Sequence, residues 1–245
     1  MLCDMKAMIL AAGIGSRLGA LTQSKPKCLM PLGNGETILD NVATKLITLG
    51  VSELVINTHH LGALVQGHVL AKKSYGISVH FSEEATLLDT GGALKKVRHH
   101  FEGESAFYLH NADIYCTADL SVPYEAHINN GLISTLVCMK RPSSRGVFIN
   151  SEKHLIGWTG EHPDKPCDAN KDLLAFSGIS ICSPELFNFM PETDTFSILE
   201  CFLHAARSTG RVKAFEIEAS TWLDIGTPEK LYTLQNSLGQ SDDKK

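Results

Sequence analysis

The stretch that decides the fold is Ala11-Ala12-Gly13-Ile14-Gly15-Ser16-Arg17-Leu18, which directly follows the apolar run Ala7 to Leu10. A short, uninterrupted apolar run predicts a buried strand that is covered on both faces. The glycines after it let the backbone approach a ligand closely and turn successive N–H groups toward it. Arg17 and Lys27, the latter within Lys25-Pro26-Lys27, return two cations to this loop. The segment therefore predicts a binding site for a polyphosphate.

Two better-known glycine motifs fit this segment less well. A Walker A loop closes with Gly-Lys-Ser or Gly-Lys-Thr, whereas Gly15-Ser16-Arg17 stands here. A dinucleotide-binding fingerprint has a third glycine three residues after the second, and that position is Leu18. Neither a P-loop nor a dinucleotide site is therefore expected.

Apolar patterning along the rest of the chain predicts an α/β fold with a mixed, mostly parallel sheet and helices on both faces. We expect one domain over residues 1–238 and a polar tail over 239–245. The predicted helices are 38–49, 61–71, 92–101 and 198–207, with another beginning at Pro228 after a Thr227 cap. The predicted strands are 54–56, 77–81, 106–110, 133–139, 147–149, 155–158 and 175–181.

Composition narrows the class of protein. The 245 residues are enough for a buried core, and the net charge of −5, without a cluster of basic residues, argues against nucleic-acid binding. No apolar run is long enough to span a membrane, and the first residues lack the features of a signal peptide. The seven cysteines are odd in number and scattered, which is typical of a reducing compartment. We therefore expect a cytoplasmic protein with no membrane partner, as a monomer or small homo-oligomer.

The loop and three later segments resemble one enzyme family. Gly13 to Leu18 with Pro26-Lys27, followed by Thr90-Gly91-Gly92, Asn111-Ala112-Asp113 and Trp222-Leu223-Asp224-Ile225-Gly226-Thr227-Pro228, is similar to the ordered signature of the sugar-1-phosphate nucleotidyltransferases. The chain departs from it at Ala20 and Cys28, where the family usually has proline, and at Ala112, where it usually has glycine.

The resemblance implies that residues 1–238 form a nucleotidyltransferase domain, with a nucleotide-binding N-terminal half and a sugar-binding C-terminal half. It also implies a reaction and a role for individual residues. The implied reaction joins a nucleoside triphosphate to a sugar 1-phosphate, giving a nucleotide sugar and pyrophosphate. Arg17 and Lys27 would be catalytic, and Asp113 and Asp224 would bind Mg²⁺. The nucleotide would contact Ala11, Ala12, Gly13, Gly15, Ser16, Glu83, Gly91 and Gly92. The sugar would contact Asn111, Gly146, Glu161, Ser177 and Gly178. Glu161-His162-Pro163 departs from the family's Glu-Lys-Pro, so a phosphate-binding lysine is missing there unless Lys165 serves.

The resemblance leaves the substrates open. Among short relatives the chain is most similar to the N-acetylmuramate-1-phosphate uridylyltransferases of cell-wall recycling, so UTP with an amino-sugar 1-phosphate is the first expectation. GTP with mannose 1-phosphate is the alternative. A non-catalytic nucleotide-sugar sensor of the same fold is disfavoured because all four charged site residues are present. A glycosyltransferase is disfavoured because Asn111-Ala112-Asp113 is not an Asp-x-Asp motif.

Overall fold

The computed structural model describes residues 5–143, 146–160 and 172–242. These residues form six α-helices and eleven strands. These elements are β1 (Met5–Leu10), α1 (Ile38–Thr48), β2 (Val51–Thr58), α2 (Gly62–Ala71), β3 (Ser78–Glu83), α3 (Asp89–Lys96), β4 (Phe107–Asn111), β5 (Ile114–Cys116), α4 (Ser121–Asn129), β6 (Ser134–Met139), β7 (Gly146–Ile149), β8 (Leu155–Trp158), β9 (Asp172–Cys182), α5 (Ile198–Thr209), β10 (Val212–Glu216), β11 (Trp222–Asp224) and α6 (Pro228–Asp242). None of the helices is both long and apolar enough to cross a membrane, as far as the described residues go.

The chain divides into two compact units. Unit 1 comprises Met1–Leu87, His110–Thr117 and Trp222–Lys245, and unit 2 comprises Leu88–Leu109 and Ala118–Thr221. Both units are therefore discontinuous in sequence, and unit 1 is built from three separate segments.

Unit 1 contains a parallel arrangement of strands and a short antiparallel ribbon. Strand β2 lies between β1 and β3 and pairs with both in parallel. The ribbon pairs β5 with β11, so that the last strand of the chain returns to a segment about a hundred residues earlier. In β1 the residues Ala7, Met8 and Ile9 are fully buried, as the apolar run predicts.

Helix α1 shows how local sequence and packing agree in unit 1. Thr37 caps the helix by accepting from the Asp40 amide, and the Asp40 carboxylate accepts from the Thr37 amide in return. Ile38, Val42 and Leu46 form the predicted buried stripe. Ile38 also belongs to an apolar cluster that packs α6 against the loop after β1. The members of this cluster are Leu18, Met30, Leu32, Ile38, Ile225, Leu231 and Leu234.

Unit 2 contains a mixed sheet. Strand β6 pairs in parallel with β10 and antiparallel with β9, and β7 pairs antiparallel with both β8 and β9. Helix α5 begins with a Ser197 cap and ends at Gly210, whose φ of 69° provides the left-handed helix end that glycine favours. The predicted α/β class with a mixed sheet is confirmed.

The element predictions are wrong for two helices and for the C-terminal tail, and the strands β5, β10 and β11 were not predicted. The helix expected over 92–101 is the shorter α3, which ends at Lys96, and a separate 3-10 turn at Arg98–His100. Helix α4 was not predicted, because its sequence carries no clear apolar stripe and includes Pro123. The tail expected from residue 239 is helical up to Asp242, as the end of α6.

Candidate active site

The loop after β1 is exposed to solvent, and hydrogen bonds at its two ends fix its position. Gly13, Ile14 and Ser16 are exposed, and the amides of Gly13, Ile14 and Gly15 donate no hydrogen bond to any group among the described residues. The Thr22 hydroxyl, itself buried, donates to the Gly15 carbonyl at 3.1 Å and fixes the return of the chain. Unused amides in a fixed loop are the arrangement that binds phosphate oxygens.

Gly15 is required by the backbone at this point. Its φ is 71°, in the left-handed region, and a Cβ there would lie 3.1 Å from the Cβ of Lys27 and 3.0 Å from Thr22 Cγ2. The close approach places the loop directly against the stem of Lys27. The glycine motif and the lysine ten residues later therefore form one local structure in unit 1.

Lys27 and Asp113 form a close ion pair. The Lys27 Nζ donates to Asp113 Oδ2 at 2.5 Å, and the lysine side chain is only 9% exposed. A buried ammonium group needs a partner, because its desolvation is otherwise uncompensated. Asp113 follows β4, at the end of the apolar strand where the sequence predicts it. The structure thus brings one predicted cation and one predicted metal ligand into direct contact.

Two cationic side chains approach the same carboxylate oxygen of Asp224. The Arg17 Nη1 lies 3.8 Å from Asp224 Oδ2, and the Lys230 Nζ donates to the same oxygen at 3.5 Å. The other oxygen, Oδ1, is buried and has no hydrogen-bond partner among the described residues. An unpartnered buried carboxylate oxygen is costly unless something binds it. A hard cation such as Mg²⁺, which prefers oxygen ligands, fits this donor.

The β5–β11 ribbon brings the two aspartates together in the fold. Asp224 lies opposite Ile114 in the ribbon, and the Ile225 amide donates to the Asp113 carbonyl at 2.9 Å. Gly226 then leaves room for the charged groups, since a Cβ there would lie 2.7 Å from Asp224 Oδ1 and 2.9 Å from Arg17 Nη1. Asp113, directly before β5, and Asp224, the last residue of β11, therefore lie at the same end of the ribbon although they are far apart in sequence.

Asn57 and Glu84 support the loop, and the sequence analysis missed both. The Asn57 side chain accepts from the Ala11 amide at 2.7 Å and donates to Glu84 Oε1 at 2.7 Å, and both residues are buried. Their pairing fixes the first residue of the loop. The sequence feature that could have indicated Asn57 is its position as a polar residue directly after the apolar run of β2. Glu83, the predicted nucleotide ligand, is the exposed last residue of β3.

In unit 2, Gly91 and Gly92 are buried in the first turns of α3 and pack closely against the chain before α5. Their amides both donate to the Phe196 carbonyl, at 3.0 and 3.4 Å. A Cβ on Gly91 would lie 2.3 Å from the Phe196 ring, and one on Gly92 would lie 1.9 Å from the Asp194 carbonyl oxygen. Close helix packing thus accounts for both glycines, and their amides are already engaged. The expected contact of Gly91 and Gly92 with a nucleotide stays a prediction, and it would have to use groups other than these two amides.

The predicted sugar-binding residues are distributed over several elements. Asn111 ends β4, and Gly146 begins β7 with its amide bonded to Thr159 Oγ1 and its carbonyl to the Thr159 amide. Ser177 and Gly178 lie where the pairing of β9 with β6 shifts register, and Gly178 has the positive φ of 80°. Such a bulge redirects side chains. Glu161 lies outside the described residues.

His110 provides a neutral polar group behind Asp113. It is 1% exposed, and burial lowers its pKa to about 4. In its neutral form the Nδ1–H donates to the Asn111 carbonyl at 2.8 Å. The interaction holds the end of β4, from which the chain continues to Asp113.

Comparison with known proteins identifies the family of this chain. A model of the family described as "Nucleotidyl transferase" matches residues 6–241. The chain belongs to the nucleotidyl transferase family. Curated relatives include the mannose-1-phosphate guanyltransferases of Aspergillus fumigatus and Schizosaccharomyces pombe, each 30% identical over 94% of this chain. This member of the family spans 63% of the length of each of these relatives.

Solved structures share the fold. HddC from Yersinia pseudotuberculosis, in complex with GMP-PN, has a TM-score of 0.73 and 22% identity, covering 95% of this chain and 99% of that one. A Bacillus anthracis protein described as a glucose-1-phosphate thymidylyltransferase, in complex with sucrose, has a TM-score of 0.80 and 20% identity, covering 96% and 95%. The comparisons do not support UTP with N-acetylmuramate 1-phosphate as the substrate pair. Curated relatives, which are mannose-1-phosphate guanyltransferases, match the alternative expectation instead.

Proposed function

We propose that this nucleotidyl transferase joins a nucleoside triphosphate to a sugar 1-phosphate, with GTP and mannose 1-phosphate as the preferred pair. The observation that carries the proposal is the meeting of the open loop after β1 with two cation–carboxylate pairs, Lys27 with Asp113 and Arg17 with Asp224. The preference for GTP and mannose 1-phosphate is supported by the names of the curated relatives.

The loop supplies binding for the triphosphate. The unused amides of Gly13, Ile14 and Gly15 suit phosphate oxygens, and the guanidinium of Arg17, more than half exposed beside them, suits the β- and γ-phosphates. Thr22 and Asn57 hold the loop from either side, so that little order has to be gained on binding.

The reaction is a displacement at the α-phosphorus. An oxygen of the sugar phosphate forms a bond to the α-phosphorus, the bond to the bridging oxygen of the β-phosphate breaks, and pyrophosphate leaves with that electron pair. Lys27 would neutralise charge on the reacting phosphates. The attacking oxygen is already anionic, so that positioning and electrostatic stabilisation provide the rate enhancement without a covalent intermediate.

Asp113 and Asp224 would hold Mg²⁺. The unpartnered Asp224 Oδ1 and the neighbouring carboxylate of Asp113 supply the oxygen ligands that this cation prefers. When bound, the cation would reduce the repulsion between two anionic substrates and stabilise the charge that develops on the phosphates.

The decisive experiment measures pyrophosphate release with Mg²⁺, each common nucleoside triphosphate and a panel of sugar 1-phosphates. We expect turnover with GTP and mannose 1-phosphate, and at least tenfold lower kcat/KM with UTP and N-acetylmuramate 1-phosphate, about 1.4 kcal/mol. The reverse ranking would exclude the proposed substrate pair. Nucleotide binding without pyrophosphate release from any pair would exclude an enzyme and indicate a sensor.

A further inference from the structure

We propose that Lys230 is a further phosphate-binding residue, which contacts the pyrophosphate portion of the triphosphate together with Arg17. The inference rests on the proposed function, because it assigns a residue to the same site. Lys230 lies in the first turn of α6, and nothing in the sequence analysis marked it as functional.

The first observation is that two cationic side chains approach the single carboxylate of Asp224. Arg17 and Lys230 both approach its Oδ2, at 3.8 and 3.5 Å. One carboxylate balances one cation, so the pair leaves a net positive charge at this point. A site with excess positive charge beside an open loop attracts an anion.

The second observation concerns exposure. The Asp224 side chain is 20% exposed, whereas those of Lys230 and Arg17 are 41% and 58% exposed. The two cations therefore reach solvent while the carboxylate between them is largely covered. An ammonium group has three donors, and Asp224 uses one from Lys230 in the described part of the chain. Donors therefore remain for an incoming phosphate.

The third observation is that packing fixes Lys230 relative to Arg17. Leu231 and Leu234 of α6 are buried in one cluster with Leu18, the residue that follows Arg17. The Gln235 side chain also donates to the Pro31 carbonyl at 2.7 Å, which ties the same helix to the segment after Lys27. A lysine on a docked helix needs less ordering to bind a ligand than one on a free surface.

The net charge of the site suggests what Lys230 contributes. Arg17, Lys27 and Lys230 face Asp113 and Asp224, so that these five groups carry one net positive charge. Without Lys230 they would be neutral before any metal binds. The lysine would therefore matter most for binding a highly charged anion when Mg²⁺ is scarce.

A merely structural role is the competing explanation. Lys230 could do no more than pair with Asp224 near the start of α6, and a half-exposed ion pair of that kind contributes little to stability. The two explanations differ in one measurable quantity, the affinity for pyrophosphate.

The test uses isothermal titration calorimetry with inorganic pyrophosphate, with and without Mg²⁺, on the whole protein. The variants are Lys230→Met, which keeps the aliphatic stem, and Lys230→Arg, which keeps the charge. Lys73→Gln removes a lysine from an exposed turn of the same unit and is the control. Thermal unfolding of each variant checks that the fold is retained.

We expect Lys230→Met to weaken pyrophosphate binding about tenfold, with a larger loss without Mg²⁺ than with it. Lys230→Arg should stay within about threefold of the unchanged protein, and Lys73→Gln should bind normally. Unchanged affinity in a folded Lys230→Met variant would overturn this inference and leave the proposed function standing. An unchanged protein that binds neither pyrophosphate nor any nucleoside triphosphate would overturn both.

Discussion

Two glycine-rich segments of this chain carry the same sequence signal and have opposite environments. In unit 1, Gly13 is exposed, and a Cβ placed on it would meet no atom within 4 Å. In unit 2, Gly91 and Gly92 are buried, and a Cβ on Gly92 would overlap the Asp194 carbonyl oxygen. The first segment leaves its amides open, and the second uses them to bind the Phe196 carbonyl.

The difference shows that a missing side chain can serve two purposes. At Gly13 it keeps space free for a ligand, whereas at Gly92 it allows two pieces of backbone to touch. The same substitution should therefore affect function in one segment and stability in the other. The predictions below test that distinction and the charged groups attached to the open segment.

The largest effect should follow replacement of Asp113. Asp113→Ala removes a predicted metal ligand and the partner of Lys27, so kcat/KM should fall about thousandfold or more, ~4 kcal/mol. Asp113→Asn should lose comparable activity while keeping the shape of the side chain. Steady-state kinetics measures the loss, and Glu102→Gln, on an exposed ion pair in unit 2, is the control. Activity of both Asp113 variants within tenfold of the unchanged protein would remove this residue from the site.

Gly92→Ala should destabilise the protein by about 3 kcal/mol, because the new methyl group overlaps a backbone oxygen that cannot move easily. Gly13→Ala should change the free energy of unfolding by less than about 0.5 kcal/mol and reduce nucleotide affinity. Urea denaturation followed by fluorescence gives both values. If Gly92→Ala were as stable as Gly13→Ala, the contrast between the two segments would be wrong.

Arg17→Lys keeps the charge beside the open loop and removes the planar guanidinium. We expect about a thirtyfold loss of kcat/KM, ~2 kcal/mol, because an ammonium group cannot bind two phosphate oxygens in the same bidentate way. The control is Arg98→Lys, because Arg98 forms an exposed ion pair with Glu102 in unit 2; this change should leave kcat/KM unchanged. Unchanged kcat/KM for Arg17→Lys would show that the guanidinium of Arg17 does not contribute to catalysis.

The smallest effect concerns acid stability, to which each unit contributes one buried histidine. Burial lowers the pKa of His110 in unit 1 and of His127 in unit 2 to about 4 in each case. The unfolded chain binds these protons below about pH 6.5, so the unfolded state is favoured increasingly as pH falls from 6.5 to 4.

The expected loss is on the order of 1 kcal/mol per histidine at pH 5, relative to pH 7. Urea denaturation at several pH values should show it, and His127→Gln should reduce the slope where the exposed His60→Gln does not. An equal pH dependence in both variants would show that His127 titrates as in the unfolded chain.

The sequence predicted the parts of this molecule that depend on local patterns. The apolar run before Gly13 and the aspartates of the later motifs were identified from adjacent residues, and the run forms β1 as predicted, whereas the β5–β11 ribbon beside the aspartates was not predicted. The Asn57–Glu84 pair was missed because its partners lie 27 and 46 residues apart in sequence, and Lys230 was missed because its significance depends on the approach of the distant Arg17 to Asp224. For Gly92, the sequence could not distinguish an open backbone from close packing.

The ribbon of β5 and β11 has a consequence for the order in which the protein can fold during synthesis. Asp224 and α6 leave the ribosome after the whole of unit 2, whereas the loop they complete leaves it before unit 2. Unit 2 can therefore bury its core first, while unit 1 waits for a distant strand, and such long-range pairing is slow to form. A nascent chain stalled before Trp222 would present the loop without Asp224, Lys230 or the apolar cover of Leu231 and Leu234, and we infer that it would be recognised by chaperones rather than by nucleotide.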